Sequence, residues 1–170
     1  MTGPIPCRVV GVETIDVRPL TTEIGAEISG IDLRRPLDEA TVAALRDALE
    51  RHLVLFFREQ DITPQQHLDF ARRFGTISVA PFGPKHPEHP EITVLDQQTP
   101  KGEGADNWHA DNTFMPEPPM GSILRAVLLP QVGGDTCFAS GFAAYEALSP
   151  AMKGLLDDMH AVHDLSLIHI

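Results

Sequence analysis

Little in this sequence could build a covalent scaffold. There are two cysteines in 170 residues, Cys7 and Cys137, and they form no C-x-x-C pair. A disulfide framework and a thiolate zinc site are both excluded. No apolar run approaches the roughly 20 residues that span a bilayer, so no membrane partner is expected. The opening stretch, "MTGPIPCRVVGVETIDV", has no basic start followed by a long apolar segment. It does not read as a secretory signal, and a reducing, cytoplasmic setting is the default. Basic side chains are also scarce, 13 against 24 acidic ones, for a net charge of −11. Such a chain repels phosphate backbones, which argues against nucleic acid as a partner but leaves room for a local basic pocket that takes a small anion. The 42% hydrophobic content is ordinary globular usage, so a domain with a real core is expected.

The pattern of elements reads as short strands and a few helices. "CRVVGVETIDVRPL" is β-branched and closed by Pro19, so it predicts a strand; "GAEISGIDL" predicts a second. In "LDEATVAALRDALERH", Asp38 is an N-cap, and Val42, Leu45 and Leu49 fall at helical spacing. The wholly apolar "LVLFF" predicts a buried strand. "TPQQHLDFARRFG" carries a cap at Thr63, Pro64 at the first helical position, a capping box completed by Gln66 and a stop at Gly75. "ITVL", "SILRAVLL" and "TCFAS" are further strand candidates, the last two on either side of "PQVGGD". Ser149 and Pro150 open a final helix, "SPAMKGLLDDM". Strands outnumber helices in this reading, which suggests a mainly β sandwich or barrel with flanking helices.

The chemistry gathers around "NWHADNTF". A His-x-acid spacing is weak alone: 8 histidines and 24 acids in 170 positions give about one by chance. The chain has four. His67 and Asp69 lie on a helix, where residues two apart diverge. His86 with Glu88, and His89 with Glu91, lie in a Pro- and His-rich loop with no evident support. His109 and Asp111 differ. On an extended segment, positions i and i+2 face the same way, about 6.5–7 Å apart. One imidazole and one carboxylate can then converge on an ion at about 2.0–2.2 Å, with Trp108 and Phe114 as walls. The alternative is a solvated strand end. Two histidines and one carboxylate would make the facial triad of non-heme Fe(II) oxygenases, with His160, His163 and His169 as later candidates for the second histidine.

The segment "DNWHADNTFMPEPPMGSILRAVLLPQVGGDTCFASGFAAYEALSP" resembles the metal-binding region of the TauD/TfdA (taurine dioxygenase) family of Fe(II)- and 2-oxoglutarate-dependent dioxygenases. "GAEISGIDL", "LVLFFREQDITPQQHLDFARRFG" and "ITVLD" resemble the same family in the same order. The resemblance implies a double-stranded β-helix, or jelly roll. It implies His109 and Asp111 as iron ligands, and a Thr136 hydroxyl that hydrogen-bonds a carboxylate of 2-oxoglutarate. From pattern alone Thr136 is an ordinary β-branched residue after a Gly-Gly turn. The implied cofactor is Fe(II), the implied co-substrates 2-oxoglutarate and O2, and the co-products succinate and CO2. The implied substrate is a small organic molecule of the sulfonate, sulfate ester or carboxylate class. Members that form dimers or tetramers allow a homo-oligomer.

The sequence departs from the family in two places. Taurine dioxygenase recognises sulfonate through a histidine, a tyrosine and an asparagine, where this chain has Ala80, Gly83 and Ala105; taurine is therefore disfavoured. Lys85, His86 and His89 are nearby cationic or titratable candidates for an anion, with solvated loop residues as the plainer reading. The distal histidine ligand and the arginine that pairs with 2-oxoglutarate lie beyond the matched region. Residues 165–170, "LSLIHI", do not continue the pattern, and are also what a transposon end used in library preparation encodes. The expected organisation is the N-terminal part of one dioxygenase domain over residues 1–164 and a non-native tail over 165–170, in which His169 is no ligand. Such a half barrel leaves open edges and is expected to be poorly stable and inactive alone. The competing readings are a non-catalytic jelly-roll binding module, an inactive remnant, and a zinc hydrolase built on the same pair.

Overall fold

The computed structural model describes residues 15–80, 83–96 and 108–163. The chain divides into two compact units: residues up to Ile77 with Val127–Ala147, and Ser78–Ala126 with the chain from Leu148.

The first unit is built on a small mixed sheet. Strand β1 (Asp16–Pro19) pairs antiparallel with β2 (Ala26–Ser29), and β2 pairs parallel with β3 (Leu55–Phe57). Parallel neighbours cannot be joined by a tight turn, and helix α1 (Glu39–His52) supplies the crossover. The Asp38 carboxylate caps α1 by accepting from the Thr41 amide at 2.7 Å. That bond holds Asp38 below the usual carboxylate range. Val42, Leu45 and Ala48 are buried on one face, as the 3.6-residue spacing requires. Helix α2 (Pro64–Arg72) begins with the expected capping box, in which Thr63 and Gln66 satisfy each other's backbone amides.

The core is one cluster. Ile28, Leu33, Leu45, Ala48, Ile62 and Phe70 are buried together, and Ile15, Val17, Leu37, Leu55, Phe57 and Phe74 pack against them. Phe70 meets Phe57 and Phe74 edge-on, with centroids 5.5 and 5.1 Å apart, a favoured aromatic geometry. Polar contacts complete this layer: Gln60 accepts from the Leu33 amide and donates to the Ile31 carbonyl. Glu27 lies between Arg18 and Arg58, whose hydrogen bonds lower its pKa.

Several strand expectations need correction. The first strand is only Asp16–Pro19; its predicted residues 7–14 lie outside the described residues. "LVLFF" is not wholly buried. Leu53 instead ends α1 in a left-handed conformation, φ 64°, and β3 is half-buried at the sheet edge. "ITVL" reduces to one antiparallel bridge, between Lys85 and Thr93. "SILRAVLL" and "TCFAS" form no strand. A strand exists only where a neighbour completes its backbone ladder, and among the described residues neither segment belongs to a ladder. Among the described residues there are three strands and four helices, so strands do not outnumber helices there and no barrel is closed. Helix α3 (Gly141–Glu146), capped by Ser140, was not anticipated. Helix α4 (Pro150–Leu156) is capped by Ser149 as expected but stops short of Met159.

Removing Leu45, which is completely buried, should be the most damaging single change. Leu45→Ala is expected to cost roughly 2–5 kcal/mol, while Thr63→Ala should cost about 1 kcal/mol through its lost cap. Urea titration followed by far-UV circular dichroism would check both values and their order.

Candidate functional site

His109 and Asp111 do converge, but not on a strand. Residues 108–110 have no regular structure, and Asp111 opens a turn over 111–114. Asn112 adopts a left-handed φ of 57°, a conformation asparagine tolerates better than most residues. The Met115 amide then donates to the Asn112 carbonyl at 3.0 Å, and the Thr113 hydroxyl to the Ala110 carbonyl at 3.4 Å. This turn brings His109 Nε2 to 3.3 Å from Asp111 Oδ1.

The separation suits two kinds of chemistry. Donor atoms 3.3 Å apart can both lie about 2.0–2.2 Å from a single ion. A neutral imidazole and a carboxylate form a mixed N,O donor set suited to divalent iron or zinc. With the imidazole protonated, the same two atoms form an ion pair, so a proton and a metal compete for one place. The His109 side chain is 32% exposed and that of Asp111 64%. The pair is thus open to ligands rather than sealed in the interior.

The other candidates differ in what can be said of them. Among the described residues, no group of three or more His, Cys, Asp or Glu could hold a metal ion. His160 and His163 are exposed, and His160 lies past the end of α4. His169 and Ala105 fall outside the described residues. Trp108 is 73% exposed and walls nothing, whereas Phe114 is half-buried. Thr136 belongs to the first unit, where it is exposed in a run without regular structure. It follows Gly133 and Gly134, whose φ values of 77° and 74° lie in the region that favours glycine.

One feature of the second unit was missed by sequence reasoning. Lys85 is half-buried, and its ammonium donates to the Ala80 carbonyl at 2.7 Å and the Thr93 hydroxyl at 3.0 Å. Around it, the His86 amide donates to the Ile92 carbonyl and the Val94 amide to the Pro84 carbonyl, each at 2.9 Å. The His86 and His89 rings lie 5.2 Å apart, and His86 Nδ1 accepts from the Glu88 amide. The loop expected to lack support is therefore a short hairpin stapled by Lys85. The only advance signal was the lysine itself, opposite a threonine in "ITVL".

Comparison with known proteins identifies the family. Residues 16–167 match the profile of the taurine catabolism dioxygenase TauD, TfdA family, and the chain belongs to that family. It is 41% identical to an alkylsulfatase of Acinetobacter baylyi over 152 residues, 89% of this chain and 47% of the relative. It is 40% identical to an alpha-ketoglutarate-dependent sulfate ester dioxygenase of Pseudomonas putida, covering 88% of this chain and 49% of that one. Among solved structures it resembles a taurine dioxygenase from Burkholderia xenovorans, with a TM-score of 0.76 and 41% identity over 85% of this chain and 51% of that chain. The chain spans about half the length of the curated relatives it matches.

Cutting the Lys85 staple should loosen the hairpin without unfolding the first unit. Lys85→Met is expected to speed hydrogen exchange at the His86 and Val94 amides at least about tenfold while leaving α1 and α2 protected. Mass-resolved exchange would check it, and unchanged hairpin amides would show the staple to be idle.

Proposed function

We propose that the polypeptide to which this sequence belongs is an Fe(II)- and 2-oxoglutarate-dependent dioxygenase with a jelly-roll domain, hydroxylating a small anionic organic substrate. The observation that carries the reading is the 3.3 Å convergence of His109 Nε2 and Asp111 Oδ1 within the segment that matches the family. In this reading His109 and Asp111 hold iron, and the Thr136 hydroxyl donates to a carboxylate of 2-oxoglutarate. Bound Fe(II) supplies the oxidative chemistry, in which 2-oxoglutarate and O2 become succinate and CO2 as a substrate C–H bond becomes C–OH.

The chain's own residues would hold the metal on one side and leave the other open to co-substrate and substrate. Among the described residues no third His, Cys, Asp or Glu joins them. The 170-residue chain alone is therefore inactive in this reading. Its organisation is the N-terminal part of one dioxygenase domain, with residues 165–170 a non-native tail.

A sulfate ester fits better than taurine. Gly83 adopts a φ of 85°, and a Cβ there would meet Thr93 Cγ2 at 3.1 Å. A tyrosine at this position would carry backbone strain and a tight contact. Ala80 has no hydrogen-bonding side chain and lends its carbonyl to Lys85. The two relatives named above act, by name, on alkyl sulfates or sulfate esters. Lys85, His86 and His89 put cationic or titratable groups on the same hairpin.

The test uses the complete gene product with Fe(II), 2-oxoglutarate and an alkyl sulfate. Succinate should form in step with substrate loss. His109→Ala and Asp111→Ala should each lower iron affinity by more than the roughly 10–100-fold typical of losing an outer-shell partner, and should abolish turnover. Turnover that persists without O2 and 2-oxoglutarate would instead favour a zinc hydrolase.

Thr136 gives a separate prediction. Losing a hydrogen bond to a charged group removes about 1.5–3 kcal/mol, so Thr136→Val should raise the KM for 2-oxoglutarate at least about tenfold. Thr136→Ser, which keeps the hydroxyl, should stay near the parent value. Steady-state kinetics at varied 2-oxoglutarate would show it.

A further inference from the structure

We propose that the cleft between α1 and α2 binds a compact tetrahedral dianion, phosphate or sulfate, through Arg46, Arg72 and Arg73. The cleft belongs wholly to the first unit. It shares no residue with the candidate metal pair, and it depends neither on iron nor on the oxidative reading.

The cleft has a volume of about 230 Å³ and is lined by Glu39, Val42, Ala43, Arg46, Arg72 and Arg73. Its α1 wall follows from helical spacing, since residues three and four apart share a face. Its other wall is the end of α2 and the residue after it. The carbonyl end of a helix favours cations, which accounts for Arg72 and Arg73 but not for Arg46. Arg46 comes from the middle of α1 and reaches across to donate to the Arg73 carbonyl. Its guanidinium lies 5.4 Å from the centre of the Phe74 ring, a cation–π contact that holds the long side chain in place. Three guanidiniums thus share the lining with one carboxylate, in a chain whose net charge is −11.

Glu39 indicates what the cleft takes. Its Oε1 accepts from Arg73 Nη2 at 2.6 Å while its side chain is 89% exposed. Such an exposed pair contributes little and separates readily, so the carboxylate holds a place that a stronger anion can take. Each guanidinium is a rigid fork of several donors. The bonds of Arg46 to a carbonyl and of Arg73 to a carboxylate each engage one nitrogen. A tetrahedral oxyanion presents oxygens to more than one fork at once, in charge-assisted bonds that one carboxylate does not match. Other occupants fit less well. The volume is below the roughly 300–1,000 Å³ of sites for drug-sized ligands, so a nucleotide is too large. The Phe74 ring, which would stack a base, already carries Arg46. A metal cation would be repelled by the guanidiniums.

The test is calorimetric titration of the complete gene product, free of metal and 2-oxoglutarate, with sodium phosphate and separately with sodium sulfate. Low ionic strength keeps the charges unscreened. Saturable binding with a Kd of about 1 mM or tighter is expected, and the ion that saturates at the lower concentration is the ligand. Arg46→Gln and Arg73→Gln should each weaken binding at least about tenfold, the scale of a lost hydrogen bond to a charged group. Glu39→Gln removes the competing carboxylate and should tighten binding about two- to fivefold. A damaged fold does not produce such a gain, so this variant decides the matter where an arginine variant fails to fold. Lys85→Met, on the hairpin, should bind as the parent does. Absence of saturable binding of either ion would overturn the proposal. So would arginine variants, still helical by circular dichroism, that bind like the parent. Weaker or unchanged binding in Glu39→Gln, or loss of binding in Lys85→Met, would do the same. The dioxygenase reading rests on turnover, which this titration does not measure.

Discussion

The parallel pairing of Ala26–Ile28 with Leu55–Phe57 governs the first unit. Adjacent parallel strands force the chain to leave one end of the sheet and return at the other. Helix α1 makes that return, and its buried face must then match the sheet. Leu45 and Ala48 meet Ile28 in the core, while Thr41 lies beside Val42 on the same buried face. The helix end is fixed by the same demand. Leu53 turns left-handed at φ 64° so that its amide reaches the Leu49 carbonyl, and Val54 can then accept from the Ala26 amide at 2.9 Å. A leucine in that conformation is uncommon, and it persists because the helix cap and the ladder both hold it.

What could be read from sequence follows from how local each signal is. Asp38, Thr63 and Ser149 each cap a helix through an amide three residues away, so the helix starts were legible from a few neighbouring letters. The strands "SILRAVLL" and "TCFAS" were misread because propensity describes what a segment suits, not which neighbour completes it. His109 and Asp111 were legible as a pair from the family motif. Their route to convergence was not, since it depends on a left-handed Asn112 rather than on strand alternation. The Lys85 staple was hidden for the same reason as the strands: its acceptors, Ala80 and Thr93, are brought together only by the hairpin.

The hairpin also changes the meaning of the substitutions that argue against taurine. Read from sequence, Ala80 and Gly83 look like simple losses of recognition groups. In the structure each has a positive role. Ala80 offers its carbonyl to Lys85, and Gly83 accepts a φ of 85° beside Thr93. A tyrosine at position 83 would have to adopt that left-handed backbone and bring its Cβ within 3.1 Å of Thr93 Cγ2.

The candidate metal pair and the core lie in different energetic settings. The buried hydrophobic residues, from Ala26 to Phe70, all lie in the first unit, whereas His109 and Asp111 stand on a turn of the second. A metal site is only as exact as the elements that hold its ligands. In the proposed reading, ordering such a turn around a metal would use part of the binding free energy. Affinity at this pair must then rise as more of the domain packs around the turn. In that reading, completing the ligand set and packing the turn are one physical event rather than two.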